Sequence, residues 1–198
     1  MSSTAADLLT LQKSHRVQEK VQAHALDFSA DGSQLAIQYA SFSNHKFANK
    51  VLVWDVSRWR KQKLLRGCSD RVDDVAFTFN GQTLICAGSN KDRFMGGEIV
   101  LWDTEDWKSR LVIEGDDLES LRRAAASPDG KYFATGSALS GTGDRKIQLW
   151  DAKGNCVRRF ATLHGDVQSL QFSPDSKSLA VGVTSDRTAS VWSVPGGR

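Results

Sequence analysis

The chain has 198 residues, 40% hydrophobic and 25% charged, with 26 Lys and Arg against 23 Asp and Glu for a net charge of +3. That size supports one ordinary core, and so mild and interleaved a charge does not by itself point to nucleic acid or a membrane surface. No apolar run approaches the ~20 residues of a spanning helix, and Met1 to Leu11 lacks a basic region ahead of a proper apolar stretch.

The expected elements run in chain order as follows. Residues 1–20 form an N-terminal segment with only weak helical periodicity. The first repeat follows: a turn at Asp31-Gly32, a strand from Gln34 to Ala40, a polar insert from Ser41 to Asn49, a strand from Lys50 to Val56, and an outer strand from Gln62 to Arg66. In the second, the alternation Val72, Val75, Phe77 leads to a turn at Asn80-Gly81 and a strand from Thr83 to Gly88. An insert from Asn90 to Gly97 comes before the strand holding Trp102, and Ser109 to Ile113 is the outer strand. The third has its turn at Asp129-Gly130, strands at Tyr132 to Ser137 and Lys146 to Asp151, an insert at Ala138 to Asp144, and an outer run from Cys156 to Thr162. The fourth begins with Val167, Leu170 and Phe172, turns at Asp175-Ser176, and continues through Ser178 to Val183 and the short turn Ser185 to Arg187 to Trp192. Short strands between Asp-Gly and Asn-Gly turns, which tolerate positive φ, argue for antiparallel four-stranded units.

Two independent counts fix the period. Trp54, Trp102, Trp150 and Trp192 are separated by 48, 48 and 42 residues, and the polar turns by 49, 49 and 46. Such self-similarity marks an array of one supersecondary unit that cannot bury its apolar face alone.

These residues resemble the WD-repeat β-propeller family. The resemblance rests on Val51 to Asp55, Ile99 to Asp103, Ile147 to Asp151 and the looser Ala189 to Ser193. It rests also on the turns Ser127 to Gly130 and Ser173 to Ser176, and on Gly67 to Val72 with Cys68 where the family has His. It covers roughly residues 20–194. It implies an all-β propeller of four four-stranded antiparallel blades, at 21–66, 67–114, 115–162 and 163–198. Residues 1–20 precede them, and the last blade lacks an outer strand of its own. Either a stretch from Leu8 to Val21 closes a ring as that strand, or the array is partial or open; the partial reading is preferred. The structural residues of the repeat are Trp54, Asp55, Trp102, Asp103, Trp150, Asp151 and Trp192. The family's hydrogen-bonded set has a counterpart in His164, Thr184, Asp186 and Trp192.

Chemistry is sparse. No nucleophile or phosphate-loop motif occurs, and His15, His24, His45 and His164 stand singly without metal-ligand spacing. Cys68, Cys86 and Cys156 read as buried or strand thiols of a reducing, cytoplasmic protein. Asp116-Asp117 reads as part of a surface loop between blades, and Ser140 to Asp144 as an elongated turn. Trp59 and Trp107, 48 residues apart, read either as caps on the turn to the outer strand or as an aromatic binding patch. No catalytic residue, cofactor or metal site is expected.

Binding is placed on the inserts and the loops beside them, where rigid scaffolds carry specificity. Arg71, Lys91, Arg93, Arg145 and Arg187 would make that face basic, and Arg suits capture of carboxylate or phosphate. The expected function is a non-catalytic scaffold for a protein or peptide partner, with self-association through open blade edges. The alternative is recognition of nucleic acid or a phosphorylated ligand by the basic face; an enzyme using a propeller channel stands behind both.

Overall fold

The computed structural model describes residues 21–43, 46–66, 71–78, 80–90, 96–137, 146–161, 165–184 and 189–195. All regular structure among them is strand. The first sheet holds β1 (Val21–Phe28), β2 (Gln34–Ser43), β3 (Lys46–Asp55) and β4 (Arg60–Leu65). The second holds β5 (Arg71–Phe77), β6 (Thr83–Asn90), β7 (Gly96–Asp103) and β8 (Ser109–Glu119). The third holds β9 (Leu121–Ala126), β10 (Tyr132–Ser137), β11 (Lys146–Asp151) and β12 (Cys156–Ala161). The fourth has three strands among the described residues: β13 (Val167–Phe172), β14 (Ser178–Val183) and β15 (Ala189–Ser193). Each sheet is an antiparallel meander in sequence order, so every sheet has an inner strand at one edge: β1, β5, β9 and β13. These four lie side by side in chain order. The architecture is an open β-propeller.

Hydrogen-bonded turns set the register. Ser29, Thr78, Ser127 and Ser173 donate their hydroxyls to Asp31, Asn80, Asp129 and Asp175 at 2.6, 2.6, 2.7 and 2.6 Å. The following amides of Ser33, Gln82, Lys131 and Lys177 donate back to the same side-chain oxygens at 3.0 to 3.2 Å. The residue between takes a left-handed φ of 68°, 67° and 71° at Gly32, Gly81 and Gly130, and of 60° at Ser176. Glycine adopts that conformation freely and serine does not. Ser176 has a compensating role, because its hydroxyl accepts the amide of Asp129 from the third sheet at 2.9 Å.

Packing follows one rule at all three junctions. The face of a sheet that bears the repeat tryptophan packs on the opposite face of the sheet before it. Val75, Phe77, Leu84, Val100 and Trp102 cover Ala25, Ala36, Val51, Val53 and Leu65. Leu121, Phe133 and Trp150 cover Ala76, Ile85, Ala87, Ile99 and Leu101. Phe172, Leu179, Val181 and Trp192 cover Ala134, Ile147, Leu149 and Phe160. The burying face is bulky and the receiving face mostly smaller, which lets side chains interdigitate at close-packed density.

Three expectations are corrected. Ser41 to Asn49 and Asn90 to Gly97, expected as loops, are partly strand: β2 and β3 stay paired out to Ser43 and Lys46, and β6 and β7 out to Asn90 and Gly96. Alternation carries the hairpins further than the polar composition suggested. Asp116 and Asp117 lie within β8 and not in a loop, opposite an irregularity between Gly96 and Gly97. Extension of β8 along β7 provides ladder hydrogen bonds that an isolated loop would lack.

Candidate functional site

The repeat Trp-Asp pairs hold the scaffold together. Trp54, Trp102, Trp150 and Trp192 pair across the ladder with Leu35, Leu84, Phe133 and Leu179. Each following aspartate organises the turn to the outer strand. Asp55 accepts the Arg58 amide at 2.9 Å, Asp103 the Glu105 amide at 2.8 Å, and Asp151 the Lys153 and Asn155 amides at 2.9 Å each. The Ser57 hydroxyl and Arg58 hold the Asp55 carboxyl below its ordinary range, and the Asn155 amide does the same for Asp151. Carboxylates so fully occupied are turn-formers, not proton carriers.

The indole N–H groups find different partners in different sheets. Trp150 Nε1 donates to Thr135 Oγ1 at 2.9 Å. In the fourth sheet Trp192 Nε1 donates to Ser190 Oγ at 2.9 Å, while the Thr184 hydroxyl turns to the Asp166 carbonyl. The expected set of Thr184 with Trp192 is therefore not formed, because Ser190 stands two residues from the indole on its own strand. His164 and Asp186 lie outside the described residues. Trp102 Nε1 is buried with no hydrogen-bond partner among the described residues.

Of the five expected partner-binding residues, Lys91, Arg93, Arg145 and Arg187 lie outside the described residues, and Arg71 lies within them. Arg71 opens β5, is exposed, and donates Nε to Asp73 Oδ1 at 3.0 Å, with Nη2 at 2.9 Å. At the same end of the next inner strand, Arg122 reaches Asp166 at 3.6 Å. Its neighbour Arg123 donates Nε to the Gln168 carbonyl of the fourth sheet at 2.6 Å. Burial pushes the Asp73 carboxyl up, and Arg71, Arg122 and Arg123 oppose that rise. The starts of β5, β9 and β13 thus gather a cluster of both signs, on the end where the β2–β3, β6–β7 and β10–β11 hairpins also turn.

The opposite ends of the inner strands enclose a groove of about 450 Å³, lined by Leu26, Asp27, Phe28, Asp74, Ala124 and Gln171 among others. Its two carboxylates escaped the sequence reading. Asp27 Oδ2 accepts the Phe77 amide at 2.7 Å, and Asp74 Oδ2 accepts the Ala124 amide at 3.0 Å. Each carboxylate therefore caps an edge N–H of the next inner strand. Burial raises both carboxyls, that of Asp74 to about 6. The available signal was a charged residue at a core-facing position of an alternating strand; the two lie two positions out of register, so no period reveals them. Among the described residues no cluster of His, Cys, Asp and Glu is arranged to hold a metal ion, and no helix is long and apolar enough to cross a membrane.

Residues 107–151 and 154–193 match the family model described as WD domain, G-beta repeat. These two stretches resemble WD repeats. Nuclear distribution protein PAC1-2 of Uncinocarpus reesii is 28% identical over 166 residues, 73% of this chain and 34% of that protein. WD repeat-containing protein 1 of Mus musculus is 24% identical over 195 residues, 74% of this chain and 30% of that protein. The chain thus spans about a third of the length of these curated relatives. A chain of Kuenenia stuttgartiensis hydrazine synthase superposes on 85% of this chain and 51% of its own length, with a TM-score of 0.71 at 16% identity. That likeness concerns the fold alone. The family model begins at Trp107, after the first sheet and the first three strands of the second.

Proposed function

We propose that this WD-repeat array is a non-catalytic, cytoplasmic scaffold that holds a protein or peptide on the end where the inner strands begin. The observation that supports it is the Arg71–Asp73 pair and the neighbouring Arg122–Asp166 pair, set by successive inner strands beside the interstrand hairpins. Rigid strands fix these charges in advance, which reduces the ordering cost of binding. Both signs are present and paired, which suits a mixed protein surface better than a polyanion. The buried carboxylates of the groove are engaged by backbone amides, and this favours a structural role over an acid–base one. The relatives named for nuclear distribution and for WD repeats are consistent with a scaffold.

The test is affinity capture with the wild type, with Arg71→Glu, and with variants shortened at Phe42 to Phe47 and at Lys91 to Met95. Shortening should abolish capture, and Arg71→Glu should weaken it about fivefold, the scale of an exposed charge pair. Retention of the same partners by the shortened variants sinks the reading. Recognition of nucleic acid would instead give an affinity falling with salt at a log–log slope of ~0.9 per phosphate contacted.

A further inference from the structure

Each inner strand has one irregularity in its pairing. A single residue is left out of the ladder to the following strand: His24 in β1, Asp73 in β5, Arg122 in β9 and Gln168 in β13. These residues stand 49, 49 and 46 positions apart, the same spacing as the polar turns. A bulge re-aims its side chain out of the strand's alternation. In the second and third sheets the residues so placed are charged, and they meet their neighbours at the end where the inner strands begin.

The resulting cluster has its acids inside and its bases outside. The side chains of Asp73 and Asp166 keep 14% and 12% exposure, whereas Arg71 keeps 66% and Arg122 38%. Arg71 grips Asp73 through Nε and Nη2, and Arg122 reaches Asp166 through Nη1. Arg123 is pinned by the carbonyls of Gln168 and Arg122. The charges of all three arginines act on Asp73. Among the described residues, this leaves N–H donors over on Arg71 Nη1 and Arg122 Nη2. Guanidiniums held in advance by carboxylates behind them lose little freedom on binding, and their forked donors suit an oxyanion.

We infer that this cluster seats one carboxylate, the side chain of an Asp or Glu in the held partner. The inference rests on the scaffold reading and specifies the chemistry of what is held. Charge decides for carboxylate over phosphate. Three guanidiniums against two carboxylates leave the cluster one positive charge, which a single carboxylate neutralises. A phosphoseryl group carries about 1.5 to 2 negative charges at pH 7 and would leave the site net negative, beside Asp73 and Asp166.

Selection of binders from a displayed library of random peptides, with the full chain as bait, tests this. The recovered peptides should share an Asp or Glu at one position. Replacing that residue by Gln or Asn should weaken binding about tenfold, and so should Arg122→Gln in a chain with an unchanged circular dichroism spectrum. The two changes together should cost little more than either alone, because they remove the same contact. Phosphoserine at that position should bind the wild type no more tightly than Glu, and should overtake it in Asp73→Asn, where one negative charge is gone. Recovered peptides without a shared acidic residue, losses that simply add, or a wild type that prefers phosphoserine overturn the inference. Peptides that lack an acidic residue and are still lost on shortening Phe42 to Phe47 sink the carboxylate seat and leave the scaffold reading standing.

Discussion

The first and second sheets bear the same local sequence in different surroundings. Trp59 follows Trp54-Asp55, and Trp107 follows Trp102-Asp103, at the same spacing, and both take a left-handed backbone with φ of 49° and 57°. Trp107 is 8% exposed and belongs to the core between the first two sheets. Trp59 remains half-buried, resting on Trp54 and facing the open side of the first sheet. The difference lies in the neighbour: the second sheet has another in front of its tryptophan face, and among the described residues the first does not. Burial in such an array is therefore a nearest-neighbour property, and the same substitution should have different costs at equivalent positions.

The largest expected effect breaks that comparison most directly. Glycine adopts φ near +57° without strain, and Gly154 occupies the matching turn of the third sheet at 87°, so Trp→Gly isolates the side-chain packing. Trp107→Gly should cost ~3–4 kcal/mol, the scale of a large aromatic lost from a core. Trp59→Gly should cost about 1 kcal/mol or less, because relief of the left-handed strain offsets the lost tilted contact with Trp54. Urea unfolding of dilute, monomeric protein reads both. Equal costs would mean that Trp59 is covered as fully as Trp107.

The two groove carboxylates extend the comparison to charge. Asp27 bridges the first junction and Asp74 the second; burial raises both, and the nearby Asp27 charge raises Asp74 further. A carboxyl raised on folding gives stability that is full below its unfolded value near 3.8 and is lost as pH rises through the folded value near 6. At ~1.4 kcal/mol per pKa unit, ionising Asp74 removes ~3 kcal/mol between pH 4 and 6. Asp74→Asn keeps an oxygen for the Ala124 amide and carries no charge. It should be more stable than the wild type by ~1–2 kcal/mol at pH 7.5, with the gap shrinking as pH falls to 4. Asp27→Asn should show the same sign and a smaller gap. A gap that widens on acidification would rule out this account of the groove.

Much of this was legible because it repeats. The four tryptophans and the four hydroxyl-bearing turns recur at a nearly fixed period, so each copy confirmed the others. Asp27 and Asp74 do not recur in register and were invisible to a periodic reading. The left-handed tryptophans oppose backbone preference, and only their alignment with Gly154 hints at them. The extended hairpins and β8 were misjudged because polar composition was read as loop where cross-strand pairing prevails. Of the proposed binding residues, Arg71 has a carboxylate partner at Asp73, two residues on along β5; a register shift at Asp73 interrupts the alternation there, and the sequence reading used only the arginine.

The smallest effect concerns the indole nitrogens. Thr135 Oγ1 is the hydrogen-bond partner of the Trp150 indole in the third sheet. Thr135 pairs across the ladder two residues before Trp150; in the second sheet Cys86 pairs with Val100, two residues before Trp102. Cys86 is fully buried at that equivalent place, and the Trp102 N–H has no partner among the described residues. Sulfur accepts hydrogen bonds weakly, and a hydroxyl accepts well. Cys86→Ser is nearly isosteric and supplies an acceptor, so it should stabilise the chain by ~1 kcal/mol, the net value of one buried hydrogen bond. Cys86→Ala leaves the N–H unpaired and removes packing, so it should be less stable than the wild type. If serine and alanine were equally destabilising, Cys86 would not stand where Thr135 does, and the four sheets would share a backbone but not a common pattern around the indole.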